Sequence, residues 1–233
     1  MIAIITSTLI PVSHSFYSVT DRYTQTINTV QQLMEVGFEK IILIDNSISP
    51  IDHDSLKLHS KSKLQIFQTP QYSFENKGLS EALLILNHLH NIPDDEIIFK
   101  ISGRYYPNKN FDLKLLLKKL NGNSIVGVCH NPNARFPFFS TRAYLTKDKR
   151  TLETILNQVL EEMIAYGRDT DGFKGLVKKI LNLRKRRVGT PFTLSLEQSF
   201  ARVLKTRGDY CFVNFMNIEG LIAGSTHIDY ISE

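Results

Sequence analysis

The chain has 233 residues, of which 42% are hydrophobic and 22% charged, and a formal net charge of +5. This composition excludes disordered and fibrous classes and suits one sizeable α/β domain. The modest positive charge favours an anionic partner. Nucleotides and phosphates are commoner explanations for it than nucleic acid or an acidic membrane surface.

The two cysteines, Cys129 and Cys211, each lie in an apolar run and lack the spacing of a metal site. Reduced core cysteines of this kind are typical of a reducing compartment. No apolar run approaches the roughly 20 residues that span a bilayer, and the first residues resemble a strand rather than a signal peptide. The sequence therefore predicts a cytoplasmic protein.

Strands and helices alternate through the first half of the chain. Uniformly apolar runs predict buried strands, and apolar residues repeating every three or four positions predict helices. The predicted strands are 2–5, 40–47, 64–67 and 96–106, the predicted helices are 23–34 and 79–89, and 48–63 is predicted to be irregular. This alternation predicts a mostly parallel α/β sheet flanked by helices.

The second half is predicted to be more helical. Helices are predicted over 112–120, 149–165 and 173–187, with another from 195, and strands over 125–129, 136–145, 210–215 and 221–223. Ser195, with Gln198 three residues later, matches a capping box. Since there is no repeat, low-complexity tract or linker, we expect a single domain over residues 1–233.

The stretch 96–106 organises the prediction of function. An apolar run enters through a turn, breaks at Ser102 and Gly103, and then presents Arg104, Tyr105 and Tyr106. Ligands of open α/β sheets lie at the carboxyl ends of strands, so this end suits an anionic ligand that contains a ring. The alternative is an edge strand whose Arg and Tyr side chains are only solvated.

Three segments together resemble the GT-A class of nucleotide-sugar-dependent glycosyltransferases, particularly small bacterial enzymes of surface-polysaccharide assembly. Residues 41–47 (IILIDNS) are similar to the strand whose carboxylate reads the donor base or ribose. Residues 76–83 (NKGLSEAL) resemble the Gly-opened helix under the donor, and 97–104 (IIFKISGR) stand where most such enzymes bind a metal. The resemblance implies a GT-A, Rossmann-like fold, with a donor half at 1–107 and an acceptor half at 108–233.

The third segment departs from the family pattern. Most GT-A enzymes hold Mn²⁺ or Mg²⁺ with Asp-x-Asp, but this chain has Ser102, Gly103 and Arg104. Hard divalent cations need oxygen ligands, whereas an Arg neutralises a diphosphate directly. We therefore expect no metal cofactor, although a divalent cation bound through other ligands remains open.

The predicted donor site combines strand ends, the first loop and a helix start. Arg22 begins a helix whose dipole also favours anions, and Asp45 resembles the carboxylate that contacts base or ribose. Alternatives are a solvated first-turn residue for Arg22, a turn carboxylate for Asp45 and a structural lysine with a buried stem for Lys100. The predicted donor-binding residues are Thr6, Ser7, Thr8, Arg22, Asp45, Asn46, Lys77, Lys100, Ser102, Gly103, Arg104 and His227.

Glu197 and Arg104 are the predicted catalytic residues. Glu197 lies in the first turn of a capped helix, where inverting GT-A enzymes often carry the base that faces the acceptor. The alternative is a carboxylate that only stabilises the helix dipole. His227 is a second candidate for base or diphosphate ligand. Tyr105 and Tyr106 are predicted to stack on a sugar or on the base of the donor. The alternative is that they only pack within the protein.

The resulting hypothesis is a metal-independent, possibly inverting glycosyltransferase that uses a nucleotide-diphospho-sugar. Its acceptor is a glycan or a lipid-linked molecule of polysaccharide or lipopolysaccharide assembly. The basic helix 173–187 suits peripheral contact with an anionic membrane, or is an ordinary surface helix.

Three other functions remain open. A sugar-phosphate nucleotidylyltransferase shares the architecture but needs a Gly-rich loop after the first strand, which 6–11 lacks. A non-catalytic nucleotide- or glycan-binding module comes from a different class. A nucleic-acid-binding protein ranks third and is not expected, because no recognised motif accompanies the basic cluster.

Overall fold

A computed structural model describes residues 1–11, 16–58, 60, 63–72, 74, 76–135, 137–168, 175, 177, 180, 194–223 and 228–233. The strands are β1 (Ile2–Ser7), β2 (Lys40–Asp45), β3 (Leu64–Gln68), β4 (Ile98–Ser102), β5 (Tyr105–Pro107), β6 (Ile125–His130), β7 (Phe138–Thr146), β8 (Tyr210–Val213), β9 (Ile218–Ala223) and β10 (Ile228–Ser232). The helices are α1 (Val19–Val36), α2 (His53–Leu58), α3 (Lys77–His88), α4 (Leu113–Leu120), α5 (Lys149–Arg168) and α6 (Leu196–Arg207).

Two sheets organise these elements. The larger has seven strands in the order β3-β2-β1-β4-β7-β6-β8, and the smaller has three in the order β10-β9-β5. Strands β1 to β4 are parallel, β7 runs antiparallel to its neighbours β4 and β6, and β8 is parallel to β6. The prediction of a mostly parallel sheet flanked by helices is therefore confirmed.

The large sheet is buried on both faces, which explains its uniformly apolar strands. Ile2 and Ile4 of β1 pack with α3, α5 and α6, whereas Ala3 and Ile5 pack with α1 and α4. The same alternation directs Lys100 away from the face of Phe99 and Ile101. A cation on a central strand therefore enters an otherwise apolar layer.

Three helices begin at the carboxyl edge of the parallel strands. Helices α1 and α3 each follow one parallel strand and lead to the next, and α6 leads into β8. Ser18, Asn76 and Ser195 cap them, each accepting a hydrogen bond from a backbone N–H of the first turn. This edge therefore gathers positive ends of helix dipoles.

The first turns of α3 and α6 pack directly against each other. A Cβ added at Gly78 would lie 2.5 Å from Leu196 Cβ, so only glycine allows this approach. The Asn76 amide caps α3 and also donates to the Leu194 carbonyl over 3.0 Å. The Gly-opened helix noted in the sequence thus positions the helix that carries Glu197.

Some predicted elements differ from the observed ones. The single strand predicted over 96–106 is two strands in different sheets, β4 and β5, because the chain turns at Gly103 and Arg104. The region 48–63, predicted to be irregular, contains α2, and β10 was not predicted.

Two predicted features lie wholly or largely outside the described residues: His227, and the helix over 173–187 with its basic cluster. None of the helices in the described ranges is long and apolar enough to cross a membrane.

Candidate functional site

The sheet brings the predicted strand-end residues together at one edge. Ser7 pairs with Asp45 across β1 and β2, and Thr6 pairs with Ser102 across β1 and β4. The Gly103 N–H then donates to the Thr6 carbonyl over 2.9 Å, which extends the pairing past the end of β4. Most predicted donor residues therefore converge where parallel α/β sheets bind ligands.

Asp45 lies beneath this edge. Its side chain is fully buried, and its two carboxylate oxygens accept from the Leu9 and Ser47 backbone N–H groups over 2.9 and 2.8 Å. Burial raises the pKa of the carboxyl group, and the hydrogen bonds from Ser47, Leu9 and Ser7 oppose this shift. Asp45 therefore organises the loops after β1 and β2. A direct contact with a donor base or ribose would require these loops to open.

The loop after β1 is tied to its neighbours by further polar contacts. The Asn46 N–H donates to the Ser7 carbonyl over 3.1 Å, and the Thr8 hydroxyl bonds to the Asn46 side chain. Arg22 reaches back from the first turns of α1 and donates to the Thr8 carbonyl over 2.5 Å. The sequence placed these residues in one site, and the structure brings them into contact.

Arg22 and Arg104 share an electrostatic environment. The pKa of Arg22 is lowered, first by burial and then by the positive charge of Arg104, while Asp45 partly compensates. Two positive charges that act on one another in this way repel, and an anion bound between them would relieve that repulsion. The pair is therefore suited to a phosphate or diphosphate.

Arg104 projects from a well-held turn. The Thr26 hydroxyl donates to the Gly103 carbonyl over 3.2 Å, and the Thr29 hydroxyl donates to the Tyr105 carbonyl over 2.9 Å. A Cβ at Gly103 would lie 3.0 Å from the Thr26 hydroxyl oxygen, so the turn fits closely against α1. The guanidinium lies 5.9 Å from the Tyr105 ring centroid, and in the described part of the chain it forms no ion pair. Its charge is held in place and uncompensated.

Lys100 has the opposite environment. It is fully buried, pairs with Glu81, and donates to Ser102 Oγ over 3.1 Å and to the Thr141 carbonyl over 2.5 Å. The Thr6 hydroxyl also donates to Glu81 over 3.2 Å. This network favours the structural alternative for Lys100, since all three of its donor positions are used within the protein.

Sequence reasoning missed Glu81 as a site residue. It lies in the second turn of α3, within the quoted segment 76–83, and its side chain is 25% exposed. The only signal was the presence of one acidic residue on α3 and one lysine on a buried strand. Helix and strand spacing alone does not show that these two side chains meet.

Glu197 and Lys77 lie at the two joined helix starts. Glu197 is half-buried in the first turn of α6, and Lys77 is exposed as the first residue of α3. Neither forms an ion pair within the described ranges. Their charges are therefore available to a ligand at this edge, and the base role of Glu197 stays a prediction.

The two tyrosines after Arg104 have different environments. Tyr105 is 3% exposed and packs in the α1 and α4 side of the core, so it fits the packing alternative. Tyr106 is half-buried and forms hydrogen bonds with Glu219 and Tyr230. Tyr106 and Arg104 both line a cavity of about 510 Å³ between α1 and the small sheet.

The residues at this edge do not fit a divalent cation. The position after β4 carries Ser102, Gly103 and a cationic Arg104, and the Asp45 oxygens are already bonded to backbone. A hard cation needs several free oxygen ligands, and the two arginines repel it. Within the described ranges, no three His, Cys, Asp or Glu residues form a metal-binding group.

No family model matches the chain, and no curated protein matches it. Solved structures match at the level of fold. The galactosyltransferase LgtC, in complex with donor and acceptor sugar analogues, has a TM-score of 0.52 and 9% identity over 91% of this chain and 73% of its own. The bifunctional glycosyltransferase WbbM has a TM-score of 0.50 and 8% identity, over 91% of this chain and 38% of its own.

A third similar structure comes from a different enzyme class. A Bacillus anthracis protein described as a glucose-1-phosphate thymidylyltransferase, in complex with a sucrose, has a TM-score of 0.50 and 10% identity over 91% of this chain and 85% of its own. The fold of this chain is thus the mostly parallel GT-A-type α/β fold. That fold is shared by glycosyltransferases and nucleotidylyltransferases, and fold alone does not choose between them.

Proposed function

We propose that the chain is a glycosyltransferase that moves a sugar from a nucleotide-diphospho-sugar to a glycan or lipid-linked acceptor. The observation that carries this proposal is a GT-A-type sheet whose carboxyl edge gathers polar strand ends, with Arg22 bonded to the Thr8 carbonyl there and Arg104 in the turn that follows β4. The edge offers two preorganised cations to a diphosphate.

The leaving diphosphate sets the main chemical demand. Breaking the anomeric C–O bond places negative charge on the departing phosphate oxygen, and fixed donors that meet that charge lower the barrier. Arg104 is anchored by hydrogen bonds on both sides of its turn, and Arg22 is held through the Thr8 carbonyl. The backbone that carries Arg104 is therefore fixed, and the Arg22 guanidinium is held at the loop after β1, so only side-chain adjustment is needed to bind the diphosphate.

The acceptor hydroxyl must lose a proton, and Glu197 is the proposed base. Its helix start lies against that of α3, so its carboxylate belongs to the same edge as the arginines. A carboxylate in this place would give inversion of the anomeric centre by a single displacement.

The proposed reaction uses no metal cofactor. The reason is the chemistry of the residues at the edge, where guanidinium groups take the place of carboxylates. Donor-binding roles for Thr6, Ser7, Thr8, Asn46 and Ser102 are proposed for the same edge, while Asp45 and Lys100 act by holding its shape.

The experiment is donor turnover by the purified protein in EDTA with a panel of nucleotide-diphospho-sugars. Release of nucleoside diphosphate, measured by chromatography, is expected for one donor. Arg104→Ala should lower the rate at least 100-fold, a magnitude typical of removing one oxyanion-stabilising donor. Lys109→Ala, which removes an exposed cation after β5, is the matched control and should retain the rate.

A nucleotidylyltransferase remains the second candidate because the thymidylyltransferase structure matches the fold as well as WbbM does. It predicts pyrophosphate release from a nucleoside triphosphate and a sugar 1-phosphate. Pyrophosphate without diphosphate release would replace the transferase proposal. If neither diphosphate nor pyrophosphate is released but the protein still binds nucleotide, the chain would be a binding module.

The proposed pathway is bacterial surface-polysaccharide or lipopolysaccharide assembly at the inner face of the membrane. This rests on the sequence resemblance and on the basic cluster within 173–187, which lies outside the described residues. Sedimentation with vesicles of anionic lipid, compared with neutral vesicles, tests the membrane contact.

A further inference from the structure

A cavity lies between the outer face of α1 and the small sheet. It has a volume of about 510 Å³, and its polar lining includes Gln25, Asn28, Gln31, Arg104, Tyr106 and Tyr230. Asn28 lies nine residues after the start of α1, which is about 14 Å along the axis at 1.5 Å per residue. The cavity therefore extends from Arg104 away from the strand ends.

The lining has the chemistry of a sugar-binding surface. Most of the exposed lining is apolar, and the amides and phenols set hydrogen-bond donors and acceptors into it. A pyranose ring presents hydroxyl groups around its rim and C–H groups on its faces, so it satisfies both kinds of wall. A volume of several hundred cubic ångströms is within the range of small-molecule sites.

Two details indicate a polar ligand. The Oε1 atom of Gln25 is buried and has no hydrogen-bond partner among the described residues. An unpaired buried acceptor is costly, and rotation of the Gln25 side chain, which lines the cavity, would bring it to a ligand hydroxyl. Glu219 forms hydrogen bonds with both Tyr106 and Tyr230, which orients the two phenols. Burial and then Glu219 raise the pKa of Tyr106, and the Glu219 hydrogen bond raises that of Tyr230.

A nucleotide fits this cavity less well than a saccharide. Arg104 is the single cation in the lining, and it stands at the end nearest the strand edge. The far wall offers amides and phenols, which suit hydroxyl groups better than phosphates. A mostly apolar lining with a few amides and phenols thus suits the C–H face and hydroxyl rim of a neutral sugar ring better than it suits a charged nucleotide.

We propose that this cavity binds a sugar ring of the acceptor, with Arg104 as the boundary between acceptor and donor. Its identification as an acceptor site rests on the proposed function. The pocket itself rests only on the residues that line it, so the two can fail separately.

The test uses backbone amide NMR of the whole chain with methyl β-galactoside, methyl α-glucoside and lactose as probes. At least one saccharide should shift the resonances of Gln25, Asn28 and Leu221. Asn28→Trp fills the cavity and should weaken this binding at least tenfold. Gln32→Trp places the same side chain on α1 outside the lining and should leave the affinity unchanged.

Nucleotide binding separates the two proposals. Both tryptophan variants should keep the thermal shift given by a nucleoside diphosphate, since neither substitution is at the strand edge. Saccharide binding that persists in Asn28→Trp, or that UMP displaces, would overturn the pocket assignment. If no probe saccharide binds the wild type while a nucleoside diphosphate does, the pocket proposal fails and the transferase proposal stands.

Discussion

Lys100 and Arg104 are cations four residues apart at the end of β4, and their environments are opposite. Lys100 is fully buried and bonded to Glu81, Ser102 and Thr141. Arg104 lies in the turn after the strand, with its guanidinium 5.9 Å from the Tyr105 ring centroid. It forms no ion pair with any described residue. One charge is paired within the sheet, and the other has no ion-pair partner among the described residues, which is what the proposed binding of a diphosphate requires.

The difference shows how position along a strand decides the use of a charge. Inside the strand, a side chain must enter the core, so its charge requires protein partners. Beyond the strand, a tight turn fixes the backbone while the side chain remains outside the packed layers. Folding stability should therefore depend on Lys100, and ligand binding on Arg104.

The largest predicted effect is on the buried side of this comparison. Lys100→Met leaves Glu81 without its cation and the Thr141 carbonyl without its donor. Breaking a buried pair on one side should lower the free energy of unfolding by about 3 kcal/mol, measured in urea. Lys100→Met combined with Glu81→Met removes the unpaired charge and should recover part of the loss. A loss under about 1 kcal/mol in the single variant would contradict the account.

The next prediction concerns the close packing of the first turns of α3 and α6 at the carboxyl edge of the large sheet. It tests whether stability and donor turnover depend on that packing. Gly78→Ala places a Cβ 2.5 Å from Leu196 Cβ and should cost about 2 kcal/mol through overpacking. Because the shift moves α6, it should also lower donor turnover through Glu197. Gly122→Ala is the control, since it has φ +82° with no atom within 4 Å, and it should lose stability only, by about 1 kcal/mol. If Gly78→Ala and Gly122→Ala lowered donor turnover equally, the packing of α3 against α6 would have no special role in turnover.

A smaller effect concerns a second buried polar group, His88, whose ring contacts the Thr69 hydroxyl at 2.5 Å. Burial, and then His90, lowers the pKa of His88 below 6.5. A base with a lowered folded-state pKa gives stability that is complete above its unfolded pKa and is lost as pH falls through the folded value. The melting temperature should therefore fall on acidification from pH 7.5 to 5.

His88→Asn should reduce this pH dependence. His90→Asn is the control, because its ring is exposed, and it should leave most of the dependence in place. An unchanged slope in His88→Asn would assign the acid sensitivity to other groups.

The smallest expected effect is on the open side of the comparison. Arg104→Ala removes a side chain without a described ion pair, so the free energy of unfolding should change by less than about 0.5 kcal/mol. Thermal and urea unfolding of this variant, beside Lys100→Met, give the comparison directly. A loss as large as that of Lys100→Met would show that Arg104 has a structural role.

Local sequence signals were sufficient for most of the fold. The apolar runs of β1, β2 and β4 and the periodicity of α1 and α3 predict their elements within a few residues. The break at Gly103 could be read as a turn, but the assignment of β5 to a second sheet depends on pairing with β9, more than 100 residues later. Such long-range pairing leaves no mark in local periodicity.

The candidate site was predicted in position better than in detail. Parallel topology brings the predicted strand-end residues Thr6, Ser7, Asp45 and Ser102 to one edge of the sheet, and their role in binding a donor stays a prediction. The burial of Asp45 follows from loop backbone amides that turn back onto it, and the Glu81 pair follows from how α3 packs on the sheet. Both depend on tertiary packing, which the residue pattern does not encode locally.

The most direct test of the central claim is the thermal shift given by UDP, GDP, CDP, dTDP and ADP in EDTA, for the wild type and Arg104→Ala. A ligand that binds the folded state raises the melting temperature by mass action. We predict a clear shift with one nucleotide for the wild type and little or none for Arg104→Ala, with equal melting temperatures in the absence of nucleotide. An equal shift in both proteins, or a wild-type shift that needs Mn²⁺, would contradict the assignment of Arg104 as the diphosphate-binding cation.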